Sequence, residues 1–282
     1  MNYLLFKRWN DFSGWLVFLI AAFVYGMTIE PTASFWVCPE FISCAEKLQV
    51  GHPPGAPFYM LVGNLFTQFA SDPSQVSRTV NFLNALLSAG CILFLFWSIT
   101  RLVRSLLKEE KENLSVTDVI IILGSGLVGA LAYTFSDTFW FSAVEGEVYA
   151  FSSFLTALVF WMILRWQDES DTVYGDRWII LIAYIIGLSI GVHLLNLLCI
   201  PAIVLVFYYQ KYRTISLKGA IAAIALSGLL IVLILFVYIA ETITGFFRMF
   251  LIKLFYLFFQ FRSDGYVFVF SFLILIFTPG NG

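Results

Sequence analysis

Two carboxylates and a histidine lie close together in the segment from Phe35 to Pro57, within an otherwise apolar sequence. A carboxylate such as Glu40 or Glu46 acts as a general base when a partly desolvated pocket raises its pKa. On a solvated loop helix, the same carboxylate only favours the positive end of the helix dipole. His52 is a candidate donor to an anionic group, or simply the residue before a turn. The segment is therefore a candidate active site.

The backbone that follows His52 is stiff. The sequence continues Pro53-Pro54-Gly55-Ala56-Pro57. Proline holds φ near about −65° and lacks an N–H group, and it pushes the preceding residue toward an extended conformation. This pattern predicts that His52 points in a fixed direction.

Further polar residues occur later in the chain. Glu145 and Glu147 flank Gly146 where a helix is predicted to start, so they either cap that helix or bind substrate hydroxyls. His193 and Asn196 lie inside a long apolar segment. They either form hydrogen bonds between helices or line a cavity at a helix break.

Arg78 precedes a long apolar run, where it either binds a phosphate or lies at the membrane interface as an ordinary arginine. The cysteines and histidines show no metal-ligand spacing. The sequence therefore predicts neither a metal site nor a cofactor.

The composition is that of a membrane protein. Hydrophobic residues make up 60% of the 282 residues, charged residues make up 12%, and the mean hydropathy is +0.89. The net charge of −2, without a basic block, argues against nucleic-acid binding.

The apolar runs predict an all-α polytopic membrane protein with about seven spans up to residue 241. The basic clusters all fall on the cytoplasmic side, together with the N-terminus, if the short run Ala56–Ala70 does not cross the membrane. We therefore expect a large external loop over residues 30–78 that includes a juxtamembrane helix. The long run Trp178–Tyr209 is expected to be two shorter helices that turn at Gly191–Asn196. These assignments place the polar residues described above on the external face.

The motifs of the chain resemble a known family. The chain resembles the C-type glycosyltransferase superfold in the order of its features. These are a first helix, an acidic external loop, a His-Pro-Pro element, a juxtamembrane helix and an arginine. A closer resemblance is to bacterial relatives of an animal protein O-mannosyltransferase that modifies plexin-type receptors. The matching segments are residues 28–36, 47–57, 80–81, 143–150 and 191–196. His-Pro-Pro-Gly and Val-Glu-Gly-Glu-Val-Tyr are the most specific of these runs.

The resemblance implies transfer of a sugar, with mannose expected, from a polyprenyl-phosphate donor to Ser or Thr of exported proteins. Residues 1–241 would form the transmembrane glycosyltransferase-like module, in the bacterial inner membrane with its active face periplasmic. The partners would be the bilayer, the lipid-linked sugar and the exported acceptor. The substrate-binding residues expected are His52, Arg78, Glu145, Glu147, Tyr149, His193 and Asn196.

The chain departs from the family pattern at the expected base. The pattern is Asp-Cys-Gly-Glu, whereas this sequence reads Val37-Cys38-Pro39-Glu40. Valine cannot accept a proton, so either Glu40 substitutes from one helical turn away or the chain is weakly active or inactive. A second departure is length, because family members continue for hundreds of residues. Residues 242–282 look divergent, as in a truncated or frameshifted reading.

Two other interpretations remain open at this stage. In the first, the same external cleft belongs to a membrane transporter or a lipid-binding scaffold. In the second, the chain is a non-catalytic fragment.

Overall fold

The computed structural model describes residues 1–52, 55–107, 114–212 and 215–243, with side chains described up to residue 237. The described residues form ten α-helices and two short 3-10 helices, without a β-strand. The α-helices are α1 Tyr3–Met27, α2 Cys38–Lys47, α3 Pro57–Thr67, α4 Val76–Leu106, α5 Val116–Thr134, α6 Asp137–Val144, α7 Val148–Glu169, α8 Asp176–Ile190, α9 Cys199–Lys211 and α10 Leu217–Ile243. The predicted divergent tail, residues 242–282, falls almost entirely outside the described residues.

Six of the described helical segments are long and apolar enough to cross a membrane. The predicted class, an all-α polytopic membrane protein, is confirmed. The count of about seven spans stays a prediction. Helix α8 has 15 residues and is roughly 22 Å long, which is less than the hydrocarbon thickness of about 30 Å.

The predicted break in the long apolar run is present. Helix α8 ends at Ile190, a 3-10 helix covers Leu194–Leu198, and α9 begins at Cys199. The chain divides into two compact units, Met1–Cys199 and Ile200 onward. All the candidate site residues belong to the first unit.

Helix α4 is the central element of the first unit and contacts α1, α5 and α7. Glycines on the neighbouring helices allow close approach, as expected for packing in a membrane. A Cβ atom on Gly14 of α1 would lie 2.4 Å from the Trp97 indole nitrogen of α4. A Cβ atom on Gly126 of α5 would lie 2.6 Å from Thr100 Cγ2. A larger side chain at either glycine would force the helices apart.

The start of α1 and the end of α4 lie at the same end of this unit. The N-terminal amine of Met1 donates a hydrogen bond at 2.5 Å to the carbonyl of Leu114, which lies just before the start of α5. The Arg104 guanidinium lies 4.5 Å from the ring centre of Tyr3. Helices α1 and α4 are therefore antiparallel, and the segment that joins them lies at the opposite end.

That joining segment contains α2 and α3, which pack against each other. The Asn64 side chain on α3 donates to the Ala45 carbonyl at 2.9 Å and to the Glu46 carbonyl at 3.0 Å. These carbonyls lie in the last turn of α2, and the Ala45 carbonyl also accepts the backbone N–H of the C-cap residue Leu48 at 3.4 Å. Asn64 therefore fixes α2 on α3. The predicted helix within Ala56–Ala70 is present as α3, and its position in the membrane plane stays a prediction.

Candidate functional site

Glu40 and His52 form a paired group at the surface of the α2–α3 segment. One Glu40 carboxylate oxygen accepts the His52 backbone N–H at 2.5 Å, and the other lies 3.0 Å from His52 Nδ1. The side chain of His52 is 47% exposed and that of Glu40 is 37% exposed. The hydrogen bond from the His52 backbone, followed by the bond from its ring, lowers the pKa of Glu40. Glu40 is therefore an ionised partner of His52.

The approach of the two groups depends on Gly51. A Cβ atom at Gly51 would lie only 3.1 Å from the Glu40 carboxylate oxygen. The His52 carbonyl accepts a hydrogen bond from the Gly55 backbone N–H at 2.8 Å. Pro53 and Pro54 themselves lie outside the described residues.

His52 also lines a pocket of about 90 Å³ between the α2–α3 segment and the start of α7. Val37 forms part of the wall, at the position where the family pattern has an aspartate. Glu40 is absent from this lining. The lining residues are Val37, Phe41, His52, Gly55, Ala56, Val148, Tyr149, Val192 and His193.

Tyr149 and His193 lie together on the far wall, with ring centres 5.5 Å apart. The Nδ1 atom of His193 accepts the Leu195 backbone N–H at 3.1 Å. Burial lowers the pKa of His193, which favours the neutral ring. With Nδ1 acting as acceptor, the proton of the neutral imidazole is on Nε2, so His193 is a hydrogen-bond donor at its other edge.

Glu145 and Glu147 are buried beside the pocket rather than in its wall. The Ser34 hydroxyl donates a short hydrogen bond to the Glu145 carboxylate. Burial, and then the neighbouring Glu145 carboxylate, raise the pKa of Glu147. The described contacts of this pair are with the protein, and a role in substrate binding stays a prediction.

Asn196 and Arg78 lie apart from the pocket lining. The Asn196 side-chain oxygen accepts hydrogen bonds from Ser152 at 2.8 Å and from Thr156 at 2.7 Å, so it ties the helix break to α7. Arg78 is exposed on the first turn of α4. The binding of a lipid phosphate by Arg78 stays a prediction.

Two asparagines on α4 hold the site together and were missed by the sequence reasoning. The Asn84 amide donates to the Glu145 carbonyl at 2.5 Å and to the Glu147 carbonyl at 2.6 Å. The Asn81 amide donates to the Glu30 carbonyl at 2.6 Å. Both side chains are fully buried. A signal was present, because amides one turn apart in a membrane-length apolar run are uncommon and tend to bond between helices.

No group of three or more His, Cys, Asp or Glu side chains that could hold a metal ion occurs in the described parts of the chain. What the pocket provides is one exposed imidazole backed by a carboxylate, one neutral imidazole and a tyrosine. These groups can accept a proton from a hydroxyl and donate hydrogen bonds to oxygen atoms of a small polar ligand.

The sequence matches a family model described as "Protein O-mannosyl-transferase TMEM260 N-terminal domain" over residues 38–216. Val37 lies one residue before this match. A Dictyostelium discoideum protein named protein O-mannosyl-transferase tmem260 is 22% identical over 201 residues, which cover 69% of this chain and 22% of that protein. The Mus musculus protein O-mannosyl-transferase TMEM260 is 26% identical over 219 residues, which cover 76% of this chain and 28% of that protein.

The chain thus spans about a quarter of the length of these curated relatives. No solved structure matches it. The family match includes the Glu40–His52 pair, the Glu145–Glu147 segment and the break that carries His193. Because the match covers more than half of the residues, this chain is an integral membrane protein that belongs to the family of protein O-mannosyltransferase TMEM260 N-terminal domains.

Proposed function

We propose that this chain is the membrane module of a glycosyltransferase that transfers mannose from a polyprenyl-phosphate carrier to Ser or Thr of exported proteins. The observation that carries the proposal is His52, which binds Glu40 and lines a pocket that also presents His193 and Tyr149. The family membership and the names of the relatives support the reaction class. The bacterial inner membrane, with the pocket on the periplasmic face, belongs to the same proposal.

His52 is the group that takes the proton in this proposal. Glu40 binds Nδ1 of His52, so the imidazole presents Nε2 to the pocket and the carboxylate stabilises the cationic ring. Glu40 therefore acts through His52, as a positioning residue. This assignment differs from direct deprotonation by Glu40, because a carboxylate with a lowered pKa is a weaker base and Glu40 does not line the pocket.

The reaction balances without a cofactor. The acceptor hydroxyl oxygen forms a bond to C1 of the sugar, and its proton moves to Nε2 of His52. The bond between C1 and the phosphate oxygen breaks, and its electron pair leaves with the polyprenyl phosphate. His193 and Tyr149 are proposed to hold sugar hydroxyls, since a neutral imidazole and a phenol both donate hydrogen bonds.

The test is transfer of radiolabelled mannose from polyprenyl-phosphate mannose to a Ser/Thr peptide, with purified protein in membranes. His52→Ala and Glu40→Gln are expected to lower transfer by about 100-fold or more, as general bases contribute about 10²–10⁴-fold. Glu46→Gln is the matched control, because it removes the same charge from the same helix at an exposed site. Equal loss in Glu46→Gln and Glu40→Gln would contradict the assignment of the base.

A second measurement separates transfer from binding. If the chain binds the lipid-linked sugar but neither the wild type nor any variant transfers it, the glycosyltransferase proposal is wrong. A lipid-binding scaffold is then the function.

A further inference from the structure

A second cleft lies at the other end of the first unit, between α1, α4, α7 and α8. Its volume is about 260 Å³, which is larger than that of the pocket beside His52. From Asn84, which supports the first site, to Arg104, which lines this cleft, α4 rises by roughly 30 Å. That distance is the hydrocarbon thickness of a bilayer, so the two sites lie at opposite membrane interfaces.

The lining of this cleft is cationic and aromatic. Four cationic side chains and two carboxylates line the cleft, and Glu169, which binds Arg165 from outside the lining, leaves an excess of one positive charge. The cations are Lys7, Arg101, Arg104 and Arg165, the carboxylates are Asp11 and Asp168, and the tryptophans are Trp97, Trp161 and Trp178. Tryptophan is enriched at the level of lipid headgroups, so this lining suits a ligand at the membrane interface.

Two of the four cations are already neutralised by the protein. Arg101 binds Asp168 through two nitrogen atoms, with Nε at 2.9 Å from a carboxylate oxygen. Arg165 binds Glu169 at 2.9 Å, on the next turn of the same helix. Arg101 and Asp168 both line the cleft, whereas Glu169 lies outside the lining. The charged lining residues that remain are Lys7, Arg104 and Asp11.

Arg104 and Lys7 have no carboxylate partner among the described residues. The Arg104 guanidinium lies 4.5 Å from the ring centre of Tyr3 and 5.7 Å from that of Phe6, which positions it by cation–π contact. A cation–π contact uses none of the N–H groups of a guanidinium as hydrogen-bond donors to oxygen, so these groups remain available to an oxyanion. Lys7 lines the same cleft one residue from Phe6.

We propose that this cleft binds the phosphate group of an anionic ligand through Arg104 and Lys7, with an anionic phospholipid headgroup as the expected source. The excess positive charge, the two cations without a carboxylate partner among the described residues, and the tryptophans all suit a phosphate at the interface. This site is independent of sugar transfer at His52, and it lies at the interface opposite to that pocket.

The test uses the full chain purified in detergent and native mass spectrometry with added phosphatidylglycerol. Phosphatidylcholine serves as the zwitterionic control lipid, and excess inorganic phosphate is added in a parallel arm. Lys7→Gln/Arg104→Gln is expected to lower the affinity for phosphatidylglycerol by about 30-fold, because each cation near an anionic lipid contributes about a factor of five. Arg8→Gln is the matched control, since Arg8 is the exposed neighbour of Lys7 and lies outside the cleft lining.

Lipid that stays bound in excess inorganic phosphate identifies the lipid headgroup as the ligand. Lipid that is displaced, or phosphate that binds where lipid does not, identifies a free phosphate in the same site. The proposal is overturned if the double variant binds phosphatidylglycerol as the wild type does, or if Arg8→Gln loses as much affinity. Lys7→Gln alone keeps the test valid if the double variant does not fold, because the Lys7 side chain is exposed and makes no ion pair with a described residue.

Discussion

The Glu40 carboxylate binds His52 at two points, with its two oxygens at 2.5 Å from the backbone nitrogen and 3.0 Å from ring Nδ1. The two residues are twelve positions apart, because Glu40 lies in the first turn of α2 and His52 follows the end of that helix. A single carboxylate therefore fixes both the backbone and the ring of the histidine. The orientation of His52 toward the pocket depends on the charge of Glu40.

The first prediction concerns the pH dependence of this contact. The pKa of Glu40 is lower in the folded chain than in the unfolded chain. The ionised carboxylate therefore stabilises the folded contact with His52 fully above the ordinary carboxyl pKa of about 4.3. This stabilisation is lost as the pH falls through the lower pKa of the folded chain. We expect the His52 amide to be protected from hydrogen exchange between about pH 5 and 7. Exchange rates corrected for the intrinsic effect of pH check this in a peptide that covers residue 52.

Glu40→Gln keeps one hydrogen-bond acceptor but loses the charge. We expect it to reduce protection of the His52 amide at pH 7, whereas Glu46→Gln leaves the protection unchanged. Protection that is the same in wild type and Glu40→Gln across this range would show that the turn is held by other contacts.

Part of this site could be predicted from the sequence. Glu40 and His52 are conspicuous because charged and titratable groups are rare in such an apolar chain. Their pairing could not be predicted, since it depends on a left-handed residue, Leu48 with φ of 48°, and on the absence of a side chain at Gly51. The sequence shows which residues are polar, but the backbone geometry decides which residue each of them binds.

The second prediction concerns Asn84. Its amide supports the Glu145 and Glu147 carbonyls, and its oxygen accepts a hydrogen bond from the Tyr59 hydroxyl at 3.3 Å. Asn84→Ala removes the described side-chain partner of the Glu147 carbonyl and of the Tyr59 hydroxyl in a buried site, whereas the Glu145 carbonyl keeps the Glu147 backbone N–H at 3.0 Å. We expect a loss of about 3 kcal/mol in the free energy of unfolding, because each unpaired buried group costs about 1–3 kcal/mol and partial rearrangement reduces the sum. The loss is measured by unfolding the purified wild-type and Asn84→Ala chains with sodium dodecyl sulfate.

Thr79→Ala is the control on the same helix. The Thr79 hydroxyl donates only to the Val76 carbonyl, one turn earlier. Its removal is expected to cost less than about 1 kcal/mol. Similar losses in the two variants would contradict a bridging role for Asn84.

The contrast between Asn84 and Glu145 shows where sequence reasoning stops. The sequence places Glu145 and Glu147 at a predicted helix start and leaves helix capping and substrate binding as alternatives. Their burial beneath α2 and their contacts with α4 come from tertiary packing across more than 60 residues of sequence. No local pattern encodes this separation.

The third prediction concerns Val37, which stands at the position of the expected family base and lines the pocket. Val37 is also the N-cap of α2 and supplies no side-chain hydrogen bond there. Val37→Asp adds a second candidate base to the pocket wall beside His52, and we expect mannose transfer to rise above that of the wild type, in which His52 acts alone. The transfer assay described above measures this.

Asparagine at the same position separates the two effects of the substitution. Asp and Asn are equally good N-caps, and either stabilises a helix by about 1 kcal/mol relative to an apolar residue. Asn cannot accept a proton. We expect Val37→Asn to match Val37→Asp in unfolding but to leave transfer at the wild-type level. A rise in transfer with Val37→Asn would show that helix capping, rather than a new base, limits the wild type.

The last prediction concerns the side of the membrane on which α4 ends. Met1 and Tyr3 contact residues at and beyond the end of α4, so the N-terminus and Ser105 lie at the same end of the first unit. Helix α3 has 11 residues and is roughly 16 Å long, too short to add a crossing between α1 and α4. We expect Ser105→Cys to react with a membrane-impermeant maleimide only in inverted vesicles, and Glu46→Cys only in right-side-out cells. Labelling of residue 105 in intact cells would mean that α3 crosses the membrane, or that the N-terminus is external; an N-terminal epitope tag tells these two apart.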